Sequence, residues 1–277
     1  MNLRWVARRS TVFVQFKYAL MQHMSWLYQV VCGLRLWTSV LHPPHRLHPW
    51  TKLSRCTNGE RAATWSRAFH SHGVVFVHVP RCAGTSIEAA LFGLDLYSQH
   101  YTLPQLEAML GLNDDAGADR FYRFTIVRDP VERFLSAFAY LLSRRPSRIE
   151  VISKHDLLAS ELLHGNAEWR DCPLAFLRYV ASLPSWECVP LHFRPQLHFL
   201  GGESGLRRFD RLVRFESLLA GMASVTSACD FGSRANRVGL PHQRTARNPV
   251  RRHWRSDELT ALIKQVYAGD YLALGYV

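Results

Sequence analysis

Cysteine is scarce in this chain of 277 residues: there are six, at positions 32, 56, 82, 172, 188 and 229, with no Cys-x-x-Cys pair and no Cys/His spacing suited to zinc. That excludes a disulfide scaffold and a structural zinc site. A GxxxxGK[ST] run is also missing, so there is no Walker-type nucleotide loop. Carboxylates are nearly absent from two stretches. Residues 1–72 hold ten Lys or Arg against Glu60 alone, and residues 231–256 hold seven arginines (Arg234, Arg237, Arg244, Arg247, Arg251, Arg252 and Arg255) and no acid. Residues 73–230 carry sixteen basic against eighteen acidic side chains, so the net charge of +12 belongs to a leader and one late segment. A non-enzymatic basic protein binding nucleic acid or anionic membrane would account for the leader but leaves RCAGTS (81–86) and VRDPVERFLSAF (127–138) unexplained, and nucleic acid is not an expected partner. With 48% apolar and 20% charged residues, the composition also excludes a mainly disordered chain.

The leader has its own character. Tyr18 to Leu34 is a run of seventeen residues without Lys, Arg, Asp or Glu, at the lower limit for a bilayer span. Gln22, His23, Ser25 and Gln29 dilute it, so an amphipathic helix lying on a membrane or on the protein fits as well as a short signal anchor. The following LHPPHRLHPW has three prolines in ten residues and reads as an extended linker. Residues 1–72 are thus expected to be a basic leader, the segment for any membrane association. The folded domain is expected over 73–277.

From there the pattern alternates short apolar strands with helices. VVFVHV (74–79) is a nearly continuous β-branched run, as in a strand buried on both faces of a parallel sheet. SIEAALFG reads as a helix closed by Gly93, and Thr102 with Gln105 forms a capping box for LPQLEAMLG. FYRFTIV (121–127) is a second strand, followed by an amphipathic helix with Pro130 in its first turn. RLVRF (211–215) is a third strand with a helix after it, and Ser256 caps DELTALIKQVY. The expectation is an α/β fold with a mostly parallel sheet.

Two constellations carry chemistry. In HVPRCAGTSI a strand runs through Arg81, Cys82, Ala83 and Gly84 into a helix that begins with Thr85 and Ser86, which gathers amides, hydroxyls and a cation where an anion binds. An ordinary strand-to-helix turn has the same residue types. In TIVRDPVERFLSAF, Arg128 leaves a strand end and Ser136 follows inside the next helix, where both can serve one phosphate; a surface ion pair and a small packing residue are the plain alternative.

Taken together, VVFVHVPRCAGTSIEAAL is similar to the 5′-phosphosulfate loop and FTIVRDPVERFLSAF to the 3′-phosphate segment of sulfotransferases acting on carbohydrates, the heparan and chondroitin type. HFRPQLHFL, RLVRFESL and VYAGDYLALGY extend the likeness over roughly residues 73–277. The resemblance implies a P-loop-like three-layer fold, 3′-phosphoadenosine 5′-phosphosulfate (PAPS) as donor without a metal, and sulfuryl transfer to a sugar hydroxyl; the expected partner is a glycan acceptor of anionic character. It gives His100, between the two motifs, the place of the catalytic base, with Arg81 stabilising the leaving phosphate. His192 is the second candidate for the base, with contact to the acceptor or packing at the sheet edge as its other readings, and His78, within the buried strand, is expected to pack. Most members carry Lys where this chain has Arg81 and Thr or Ser where it has Cys82. Arginine keeps the charge but not the compact ammonium. The Arg-rich segment 231–256 suits the donor's 3′-phosphate or an anionic glycan, and equally a solvated basic loop.

Overall fold

The computed structural model describes residues 58–93, 100–112, 121–143, 163–229, 231 and 252–277. The apolar run of the leader, the linker and most of the Arg-rich segment lie outside them. Among the described residues no helix is long and apolar enough to cross a membrane.

Three strands form one parallel sheet in the order β1 (Val74–Val77), β2 (Tyr122–Val127), β3 (Arg211–Arg214). Val74 lies opposite Tyr122 and Val77 opposite Thr125; on the other side Phe124 faces Arg211 and Val127 faces Arg214. All four residues of β1 are buried, as its β-branched run requires, whereas only Val213 of β3 is. Between the strands run α2 (Gly84–Ile87), continued by a π-helical turn Glu88–Phe92, then α3 (Leu103–Leu110) and α4 (Pro130–Ser143). The expected capping box of α3 forms, with the Thr102 amide donating to Gln105 Oε1 at 2.9 Å. Helices on an all-parallel sheet give the α/β class expected, in agreement with a three-layer P-loop-like fold.

The packed region begins earlier than the change in composition at residue 72. A helix, α1 (Asn58–His72), precedes β1, and its Trp65 and Phe69 are buried, each with its ring centroid 5.4 Å from that of Phe92. Aromatic burial of this size binds the helix to the domain whatever its charge.

The described chain divides into two compact units. The sheet unit comprises Glu60–Arg133, Pro195–Thr245 and Tyr267–Val277. It includes α7 (Gln196–Leu200), α8 (Gly202–Leu206), α9 (Leu218–Ala228) and α11 (Ala268–Leu274). The second unit takes the rest of α4 from Phe134 with α5 (Ala167–Asp171), α6 (Pro173–Ala181) and α10 (Asp257–Val266). Its core is aromatic: Phe176 and Phe193 lie 4.9 Å apart and Phe138 meets Trp254 edge-on at 5.1 Å. Leu259 N donates to Ser256 Oγ, the cap expected for α10.

Candidate functional site

The loop from β1 to α2 is tightly wound. Arg81 and Ala83 have φ of 68° and 62°, a left-handed conformation that glycine usually supplies and that costs other residues on the order of 1–3 kcal/mol each. Strain of that kind persists only where surrounding contacts enforce it. The amides of Ala83, Gly84 and Thr85 find no acceptor among the described residues, while those of Ser86 and Ile87 return to Ala83 O. Three open N–H groups at a helix start make a cradle suited to an anion, with the half-buried hydroxyl residues Thr85 and Ser86 beside it.

Gly84 is dictated by a different neighbour from the one its loop position suggests. A Cβ there would stand 2.0 Å from Cδ2 and 2.1 Å from Nε2 of His78. The His78 ring therefore supports the loop from below. Its Nδ1–H donates to Glu88 Oε1 at 2.7 Å, and the two side chains are 4% and 1% exposed. A carboxylate that deep is strongly destabilising without such a partner. His78 does pack, as expected, but as half of an ionisable pair under the anion cradle.

His100 lies against the same group. Its ring centroid is 4.4 Å from that of His78, nearly perpendicular, and its Nδ1 is 2.9 Å from His78 O. A carbonyl only accepts, so Nδ1 carries the hydrogen, and in the neutral imidazole the lone pair is then on Nε2. The following helix α3 is anchored by Glu107, buried between Arg123 Nε at 3.2 Å and Arg208 Nη1 at 2.7 Å. The imidazole is thus held by the His78 carbonyl, and the chain runs from it directly into the anchored helix α3.

Cys82 is committed to the interior. Burial pushes its thiol up to about 12. The thiol donates weakly to Pro80 O and Gln196 Oε1, and its amide donates to Val79 O. Within the cradle it serves as a packing residue.

Arg128 leaves β2 beside this loop. Its Nη1 donates to Arg81 O at 3.3 Å, its guanidinium lies 4.3 Å over the Phe215 ring, and Nη2 is 3.8 Å from Glu132. Its buried Nε has no acceptor among the described residues. The two segments quoted from the sequence therefore meet through Arg128 and the loop backbone. Open amides, Arg81 and an incompletely satisfied guanidinium fit a phosphorylated, sulfated nucleotide such as PAPS. Ser136 lies on the buried part of α4, in the second unit, at 8% exposure, and His192 is buried there with its ring 5.0 Å from Tyr140.

Two residues of this region carry no local signal in the sequence. Gln196, in a short helix, clamps the backbone of Arg128 from 68 positions away, and Asp270 in turn holds Gln196. Only their spatial neighbours give them meaning, although both fall inside segments already quoted for the family likeness. No curated protein and no solved structure matches the chain. Residues 67–277 match the model of the sulfotransferase family. That match takes in the cradle, the strand-end arginine, the imidazole and the C-terminal helix together, and the chain belongs to the sulfotransferase family.

Proposed function

We propose that this sulfotransferase transfers a sulfuryl group from PAPS to a hydroxyl of an anionic glycan. The observation that carries the reading is His100, fixed through Nδ1 to the carbonyl of His78 at the foot of the anion cradle. Bound there, PAPS supplies an activated sulfuryl group whose S–O bond to the 5′-phosphate breaks as a new one forms to the acceptor oxygen.

The chain's residues divide the remaining work. The amides of Ala83, Gly84 and Thr85, with the hydroxyls of Thr85 and Ser86, hold the 5′ end, and Arg81 offsets the charge that gathers on the leaving phosphate. Arg128 takes the 3′-phosphate. His100 receives the acceptor's proton at Nε2. An acceptor that bears sulfate or carboxylate suits the arginines of 231–256.

The test is transfer of radiolabelled sulfate from PAPS across a panel of glycans, with His100→Ala beside the wild type. A general base predicts turnover lower by about 10²–10⁴-fold in the variant, with the melting temperature and the affinity for 3′-phosphoadenosine 5′-phosphate (PAP) nearly unchanged. Absence of transfer to any glycan by the wild type, combined with stabilisation by ATP and none by PAP, would replace this reading with a nucleotide phosphotransferase. Normal turnover in His100→Ala would move the base elsewhere, with His192 next to examine.

A further inference from the structure

β2 ends at Val127, so the peptide groups of Arg128 lie beyond the sheet and need other partners. One side chain supplies both. Gln196 Oε1 accepts from Arg128 N at 2.9 Å, and Gln196 Nε2 donates to Arg128 O at 2.7 Å. The amide thus imitates a neighbouring strand at a single residue. Its orientation is fixed by its partners, since rotating the amide would set donor against donor and acceptor against acceptor. Gln196 is fully buried, and its Oε1 also receives the Cys82 thiol at 3.7 Å, which ties the phosphosulfate loop to the same atom.

Gln196 is itself held by the end of the chain. Asp270 in α11 accepts from Gln196 N at 2.7 Å and from Leu197 N at 3.0 Å, capping α7 with a carboxylate from another element. Asp270 is also fully buried, and the Arg133 charge counters its burial cost. A chain of buried, directional hydrogen bonds therefore runs from α11 through Gln196 to the backbone of Arg128, within one compact unit.

We propose that Gln196 is a positioning residue for Arg128, and that Asp270 locks Gln196 in place, so that the C-terminal helix sets how well the protein recognises a 3′-phosphate. This rests on the assignment of Arg128 to the 3′-phosphate. A charge-assisted contact is strong only in good geometry. The backbone at residue 128 fixes where the guanidinium can reach, and Gln196 fixes that backbone.

The test compares calorimetric affinities for PAP and for adenosine 5′-monophosphate, which lacks the 3′-phosphate. The wild type is expected to prefer PAP, and Arg128→Ala to lose most of that preference. Gln196→Met keeps side-chain length without the amide; it should lower the preference about tenfold, the scale of one charge-assisted hydrogen bond, while the lost Cys82 contact weakens both nucleotides alike and leaves the ratio untouched. In the Arg128→Ala background the same substitution should add almost nothing, because both act through one contact. Asp270→Asn removes one of the two acceptors for the α7 amides and should lower the preference in the same direction, by less. It also reads the effect if Gln196→Met does not fold. Preference unchanged in a folded variant, or equal loss for both nucleotides in step with a lower melting temperature, would overturn the positioning role. A wild type without preference for PAP would instead remove the assignment of Arg128 on which the role depends.

Discussion

Cys82 shows how one residue's place in a motif and its chemistry can part company. It lies in the middle of the loop proposed to hold the donor, yet the thiol is buried and its pKa is pushed from 9.0 up to about 12, burial outweighing the charges of Arg133, Arg128 and Arg81. The nucleophile toward alkylating reagents is the thiolate, and three pKa units leave about a thousandth of the usual amount. Native protein treated with iodoacetamide at pH 8 is expected to show Cys82 unmodified by peptide mass mapping, and modified once urea is added. The sign of the pH effect follows from the same shift. From about 9 to about 12 the unfolded chain releases this proton before the folded one does, so the group withdraws stability as pH rises through that window. Native labelling at the rate of a free thiol would contradict the burial.

At the scale of elements, the turn from β1 into α2 works because a ring fills the space that any larger residue at position 84 would claim. Gly84→Ala places a methyl 2.0–2.4 Å from three atoms of the His78 imidazole. The ring cannot retreat easily, since Glu88 holds its Nδ1 and His100 stands across its edge. The expected cost is about 1–3 kcal/mol of stability, as for other overpacked cores, read by urea denaturation, with transfer activity falling further because His100 takes its bearing from the same residue. Stability equal to the wild type would mean that the histidine moves freely. The strands, α2, α3, α4, α9 and α10 were legible in the sequence because period, caps and turn residues are local signals. The cradle and Arg128 were legible for the same reason. α5 and α6 were not read, although Asn166, whose Oδ1 accepts from Glu168 N and Trp169 N, and Pro173 at the start of α6 are cues of the ordinary kind. The His78–Glu88 pair and the Gln196 clamp lay beyond reach, since a residue's partner ten or 68 positions away leaves no trace in its own neighbourhood.

For the whole molecule, the most consequential difference between sequence and structure is where the fold begins. Charge and proline content change near residue 72, but burial does not follow composition: Trp65 and Phe69 are 2% and 0% exposed, and both pack on Phe92. Phe92 ends the helical stretch that starts at the anion cradle, so this aromatic group supports the site as well as the sheet. Deleting a buried Phe or Trp side chain costs about 3–5 kcal/mol, and total stability is commonly about 5–15 kcal/mol. Losing both is therefore comparable to the whole margin, even allowing for non-additivity between neighbours in contact. A chain shortened to begin at residue 73 is expected to keep far-ultraviolet helical signal, lose near-ultraviolet signal, bind a hydrophobic dye and fail to bind PAP. A chain beginning at residue 58 retains α1 and should melt cooperatively and bind PAP. Phe69→Ala in the full chain should lie between them, folded but with a lower denaturant midpoint and an unchanged slope. If the chain beginning at residue 73 melts cooperatively at the temperature of the longer one, α1 is an attachment rather than a part of the core, and the fold starts where the composition changes.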